Sequence, residues 1–290
     1  MSERPVSLIT QFLERVSQYQ SEWGKGTKYP WRPWFRGEPY CRSATALLPK
    51  LYRSKKKRKR LRYEEQELRA EFQRHAVALM SGLQPKGKLA HWEWYFLMQH
   101  HGVPTRLLDW TDASLVGLYF ALSSRKAEDD DDSADAAVCM LDPYWLNDLS
   151  FKEMRLGKGR PVGIAFPDWP EMAEYLRKDP FDLDRLKPAL PLAITPSHLS
   201  ARIAAQKSQF TIFGHDRGDF LVKQANEKAS RIRVIPIAGK RKQILQLRAE
   251  LAGCGISESS VYPDLDGLGR EFYMEWKARC RQIAPRQKSI

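Results

Sequence analysis

Two short stretches hold the residue types that could do chemistry. Residues 99–111 read Gln-His-His-Gly-Val-Pro-Thr-Arg-Leu-Leu-Asp-Trp-Thr, and residues 34–38 read Trp-Phe-Arg-Gly-Glu. In an extended run side chains alternate, so Thr105, Leu107, Asp109 and Thr111 share one face and Arg106, Leu108 and Trp110 the other. Arg106 and Asp109 sit in an apolar, aromatic neighbourhood where an unpaired charge is costly, so each needs a partner or a ligand. A buried ion pair between the two is the structural alternative. Arg36 is likewise set among aromatics, followed by Gly37, which allows a backbone or a ligand to approach closely. A planar guanidinium held by rings suits a phosphate or pyrophosphate through paired hydrogen bonds. The plainer alternative stacks Arg36 on Trp34 or a neighbouring ring and pairs it with an acid.

The elements that must position these residues follow from apolar periodicity. Leu8, Ile9, Phe12, Leu13 and Val16 lie on one face of a helix over 7–19. Residues 24–33 break it with Gly and Pro. A second helix covers 63–83, with Leu68, Phe72, Ala76, Leu79, Met80 and Leu83 along one side. A third covers 89–101 and stops at Gly102, which can take the left-handed cap, with Pro104 preventing continuation. The chain then runs extended through 105–110, and Thr111 or Asp112 caps a helix over 112–123. Strands are expected at 136–141, 162–166, 190–194, 210–213 and 232–237, and closing helices at 240–252 and 268–279. Helices dominate the first third and strands the middle. The fold class is therefore α+β, a helical N-terminal third packed on a mixed β-sheet. The expected organisation is an N-terminal helix and linker over 1–30, one α+β domain over 31–268, and a C-terminal helix with a basic tail over 269–290.

Composition narrows the function classes. The 290 residues carry a net charge of +13 and are 42% hydrophobic. That is enough apolar material for a substantial core, and a charge that draws polyanions. Eight of the ten residues 53–62 are Lys or Arg. Lys55, Lys56, Lys57, Arg58, Lys59 and Arg60 are candidates for phosphate-backbone contact, against the plainer reading of a solvated face. The acidic run 128–135 reads as a solvated loop, or as a shield over the basic segment. Nucleic acid is the expected partner, with an acidic inhibitor protein as a second. No apolar run reaches the 18–20 residues of a membrane span, and residues 1–10 lack a secretory pattern, so a soluble cytoplasmic chain is expected. The four scattered cysteines read as reduced thiols. No metal site is expected. His91, His100, His101 and Cys139 lack zinc spacing. Asp264, Asp266 and Glu271 read as a turn and cap around Gly267, or else as a divalent-ion site for nuclease chemistry. There is no Walker loop, dinucleotide fingerprint or nucleophile elbow.

The two chemical stretches, with Leu47-Leu48-Pro49-Lys50-Leu51, residues 97–111 and 114–121, Arg202-Ile203-Ala204-Ala205-Gln206 and residues 262–268, resemble the FRG-domain family over roughly 31–268. One departure is Lys207-Ser208-Gln209, where a glycine is expected after Gln206. A second resemblance, at the level of fold, is to ADP-ribosyltransferases: Arg36-Gly37 is similar to their early arginine, and Asp109-Trp110-Thr111 with the following helix to their second element. Gln206 stands near the place of their late glutamate, and glutamine cannot serve as a base. This resemblance implies a toxin-like transferase, of the kind used in toxin–antitoxin or phage defence, that takes NAD as substrate and modifies RNA, DNA or a nucleotide. It would place Phe35, Arg36, Gly37 and Arg106 on the cofactor and Asp109, Thr111, His100 and Gln206 at the reacting centre. A non-catalytic sensor that binds nucleic acid or a partner, and a metal-dependent nuclease, are the alternatives.

Overall fold

The computed structural model describes residues 3–24, 32–41, 47–54, 58–80, 84–123, 134–154, 163–176, 188–196, 201–214 and 219–283. In chain order the elements are α1 (Ile9–Gly24), β1 (Trp34–Glu38), a 3-10 turn (Lys50–Arg53), α2 (Arg58–Ala76), α3 (Ala90–His100), β2 (Leu107–Thr111), α4 (Ser114–Ser123), β3 (Ala136–Leu141), α5 (Pro143–Glu153), α6 (Met172–Tyr175), β4 (Leu192–Ile194), α7 (Ala201–Ala205), β5 (Ser208–Ile212), α8 (Phe220–Gln224), β6 (Ile232–Ile237), α9 (Arg241–Gly253), α10 (Glu258–Val261) and α11 (Leu265–Ile283). The six strands form one sheet in the order β4-β5-β2-β1-β3-β6. The α+β class holds, and every pair of named strands is antiparallel rather than mixed. Single parallel bridges, Val6 to Ile237 and Ala165 to Ile194, cover the two edges.

Both faces of the sheet are buried. On one side α1, α4 and α9 pack against Phe35, Val138, Met140 and Ile235. On the other, Trp34, Trp110, Cys139 and Leu141 meet Leu61 of α2, Leu146 of α5 and Leu221 of α8. A third cluster joins Trp92, Tyr95 and Phe96 of α3 to Leu107, Phe210 and Ile212.

Helix α2 departs from the expected 63–83 at both ends. It begins inside the basic run and stops at Ala76, and Leu79 beyond it is 86% exposed. Its buried residues are Leu61, Glu65 and Arg69, spaced by four, while Leu68 and Phe72 are only partly buried. The reason is Arg106. That side chain is 2% exposed and bonds Glu65 through Nε at 2.8 Å, the Phe213 carbonyl through Nη1 at 2.8 Å and the Tyr175 carbonyl through Nη2 at 2.8 Å. Tyr95 donates its hydroxyl to the other Glu65 oxygen and accepts from the Arg106 amide at 2.8 Å. Burial alone would pull the Arg106 pKa down; the facing Glu65 carboxylate overrides it, and the net shift is upward. Arg106 therefore pairs with α2 rather than with Asp109, and its partners are structural.

Several shorter elements differ from expectation. The strand expected at 162–166 shrinks to the Ala165 bridge. Helix α5 went unpredicted, although Asp142-Pro143 is a start signal: the Asp142 carboxylate caps the amides of Tyr144 at 3.0 Å and Trp145 at 3.1 Å. Strands β3 and β6 fall on the expected residues. The acidic run expected at 128–135 lies outside the described residues up to 133.

Two outcomes test this architecture. Glu65→Gln leaves a buried guanidinium without its counter-charge and should cost about 3–5 kcal/mol in chemical denaturation. Gly37→Ala should cost about 3 kcal/mol, the top of the overpacking range, because a Cβ there falls 2.2 Å from the Ala121 nitrogen and 2.3 Å from the Gly117 oxygen.

Candidate functional site

The site begins where the sheet divides. Strand β1 pairs with β3 along its whole length, Trp34 to Leu141 through Glu38 to Ala137. Strand β2 pairs with β5 along its whole length. Between β1 and β2 there is one register pair, Phe35 with Thr111. Continuing that register would set Gly37 opposite Asp109, but the strands splay instead. Gly37 explains the direction of splay, since it lies against the backbone of α4, and a Cβ on Gly117 would in turn fall 2.7 Å from the Phe35 Cβ. Bare glycines at the crossing let β1 follow the helix.

Arg36 spans the resulting fork. Its Nη1 donates to the Asp109 carbonyl at 2.9 Å, so that the carbonyl has a donor although the ladder has parted. Its Nε pairs with Glu38, itself 7% exposed, at 2.7 Å, and the Asp109 carboxylate stands 3.9 Å from Nη1. The plainer expectation, an arginine answered by an acid, describes much of what this side chain does.

A cleft of about 390 Å³ opens over the fork, walled by β1, β2, the end of α3, α4, α7 and β5. Of the expected residues, Phe35, Arg36, Gly37, His100, Asp109 and Gln206 line it. They come from segments 170 residues apart. Phe35 is 3% exposed and its ring belongs to the core, so it contributes floor rather than a contact surface. Arg106 and Thr111 do not line the cleft. The Thr111 hydroxyl donates to the Gln206 carbonyl at 2.7 Å and accepts from the Ala113 amide at 3.1 Å, which ties β2 to α7 and starts the turn into α4.

Asp109 is the exposed carboxylate of the site, with its side chain 58% accessible. The Gln99 amide nitrogen reaches both of its oxygens at 2.9 Å. Thr105, fully buried, donates its hydroxyl to the Gln99 oxygen and so fixes which end of the amide faces Asp109. His100 follows Gln99 on α3. Burial lowers its pKa, and the neighbouring Arg202 and His101 lower it further, so the imidazole is neutral near pH 7. Gly102, at φ 76°, supplies the expected left-handed cap, and Lys50 donates to its carbonyl.

Gln99, Arg202, Ser208, Phe120 and Phe210 also line the cleft and were not among the expected site residues. Arg202 and Gln206 stood in a motif already noted, so a polar residue one helical turn from Gln206 was the available signal. The turn after α7 is built at Lys207, which takes φ 46° where a glycine was expected. The Gln206 amide donates to the Val261 carbonyl at 3.3 Å.

The other constellations are structural. The Asp264 carboxylate caps the Gly267 amide at 2.7 Å. Glu271 accepts from the Ser257 hydroxyl at 2.8 Å and the Ser259 amide at 2.6 Å. Burial pushes the Cys139 thiol up to about 12. Among the described residues no three His, Cys, Asp or Glu gather as a metal-ligand set, and no helix is long and apolar enough to cross a membrane. Of the basic run, Lys55, Lys56 and Lys57 lie outside the described residues. Arg58 and Lys59 are placed only as backbone at the start of α2. Arg60 is exposed and pairs with Glu64 at 3.2 Å.

No curated protein and no solved structure matches the chain. Residues 32–130 match the family model of the FRG domain, a shorter span than the 31–268 expected from motifs. That span supplies the fork and the Gln99–His100–Asp109 edge of the cleft, while Arg202 and Gln206 lie beyond it. The matched segment runs from the strand carrying Arg36 to the helix that packs on Gly37, and over it the chain is similar to the FRG domain.

Proposed function

We propose that the cleft binds NAD and transfers ADP-ribose to a nucleic acid or nucleotide. The observation that carries this reading is the convergence of Arg36, Gln99, His100, Asp109, Arg202 and Gln206 on one cleft that Phe120 and Phe210 also line. Guanidinium groups suit the pyrophosphate, and the amides of Gln99 and Gln206 suit ribose hydroxyls. The volume of about 390 Å³ lies at the low end for small-ligand sites. It takes one half of the dinucleotide, with the remainder over the rim.

In transfer, the bond from ribose C1′ to nicotinamide breaks, the pair leaves with nicotinamide, and an acceptor oxygen or nitrogen bonds to C1′. The carbon is cation-like in between, and the Asp109 carboxylate, held by Gln99, stabilises that charge. The acceptor's proton passes to the neutral imidazole of His100. The basic start of α2 holds the acceptor strand: the positive end of the helix dipole, with the exposed Arg60, attracts phosphate.

Asp109→Asn tests the assignment. Turnover of NAD, followed by nicotinamide release, should fall by about 10²-fold. Stability should change by no more than about 1 kcal/mol, since the carboxylate is largely exposed and outside the core ion pair. Wild-type turnover in this variant would rule out the role.

The pH profile tests His100. A base must be neutral, and its pKa lies below the ordinary 6.5. The acid limb of the rate profile should therefore have its midpoint below pH 6.5, with the plateau on the alkaline side. His100→Ala should remove that limb along with most of the activity; an unchanged profile would exclude the imidazole as base.

A further inference from the structure

We propose that Arg202, outside the segment that matches the family, is the residue that contacts the ligand's phosphoryl oxygens, and that Arg36 is a positioning residue. This deepens the NAD reading and rests on it for the identity of the ligand, though not for its chemical class.

The two arginines line the same cleft but are held differently. Arg36 has Glu38 on Nε at 2.7 Å and the Asp109 carbonyl on Nη1 at 2.9 Å, with the Asp109 carboxylate at 3.9 Å. An anion approaching it meets two carboxylates already in place, and its donors hold the fork together. Arg202 is held by a ring. Its guanidinium carbon lies 4.5 Å from the centroid of Tyr262, to whose side chain it is also hydrogen-bonded, and the same ring has Arg270 at 5.1 Å and Phe120 and Tyr119 as neighbours. A guanidinium laid over a ring keeps its charge and presents N–H groups at its edge, the geometry that receives a phosphate through two parallel bonds.

The electrostatics of the cleft agree. Burial lowers the pKa of Arg53, beside the fork, and the Arg36 charge lowers it further. On the far wall the Arg202 charge lowers that of His100. Cations thus act on the cleft from both walls; at the fork Glu38 and Asp109 face Arg36 directly, whereas on the far wall Glu258 is bonded to Tyr119 and Arg270, and Asp264 caps Gly267. An anion is favoured at Arg202, beside a phenol that burial keeps un-ionised. With phosphate at Arg202, the opposite edge, Asp109 with Gln99, is left for the uncharged, hydroxyl-bearing part of the ligand.

The experiment titrates the full chain with inorganic pyrophosphate by calorimetry at fixed ionic strength, using chloride as the control salt. Wild type should bind. Arg202→Gln should weaken binding by about tenfold or more, the scale of charged hydrogen bonds. Arg202→Lys, which keeps the charge and loses the fork, should fall between them and guards against misfolding of the glutamine variant. Arg36→Lys should retain more affinity than Arg202→Gln while melting at a lower temperature than wild type. Equal affinity in wild type and Arg202→Gln would overturn the proposal, as would a wild type that does not bind pyrophosphate. The two readings separate cleanly. Pyrophosphate binding through Arg202 without NAD turnover rejects the reaction and keeps this inference. NAD turnover unaffected by Arg202→Gln rejects this inference and keeps the reaction.

Discussion

The close approach of β1 to α4 is the constraint on which the site depends. Gly37 and Gly117 bring strand and helix into backbone contact, where a single Cβ would be 2.2 Å from a main-chain atom. On its other edge β1 keeps its full ladder with β3, and β2 keeps its own with β5, so the parting is confined to the β1–β2 seam. There the sheet parts after one register pair. Parted strands expose ladder groups, and an exposed carbonyl in a half-buried cleft needs a donor. Arg36 supplies it. The cleft lies over the parted strands, and its lining is the set of residues that border the opening.

Three arginines show how environment divides one residue type into three roles. Arg106 is enclosed, with Glu65 and two carbonyls on its nitrogens, and ties α2 to β2. Arg36 is partly enclosed and spans the fork. Arg202 is held by the face of Tyr262. Desolvation makes the first useful only as scaffold, since removing its partner leaves an uncompensated charge. The last lines the cleft without a carboxylate bonded to it among the described residues.

The α7–β5 turn shows a comparable trade. Lys207 occupies a backbone region that favours glycine, at a cost of about 1 kcal/mol. The Lys207 carbonyl receives the Asp112 amide at 3.2 Å, and the Gln206 carbonyl receives the Thr111 hydroxyl at 2.7 Å. The turn thereby joins the end of β2 to α7 and sets Arg202 and Gln206 on the cleft wall.

What the amino-acid sequence determined by itself was local. The period of α1, α3 and α9, the apolar runs of β3 and β6, and the Gly102 stop were legible, because each is decided by neighbours within a few residues. Arg36 and Asp109 stand out as charged side chains in apolar segments, whereas His100 and Gln206 are singled out through the family resemblance; all four line the cleft. Tertiary structure alone decided the rest. Arg106 found its counter-charge 41 positions away on α2 rather than three positions away on Asp109, because side chains at odd spacing on a strand point to opposite faces. That pairing also moved the buried face of α2 onto Glu65 and Arg69, against the apolar pattern. Gly37 serves a helix 80 residues downstream, and Arg202 reaches the cleft from beyond the family segment. Periodicity reports which face of an element is buried, but not which element covers it, and the partners of these residues are set by packing across the sheet.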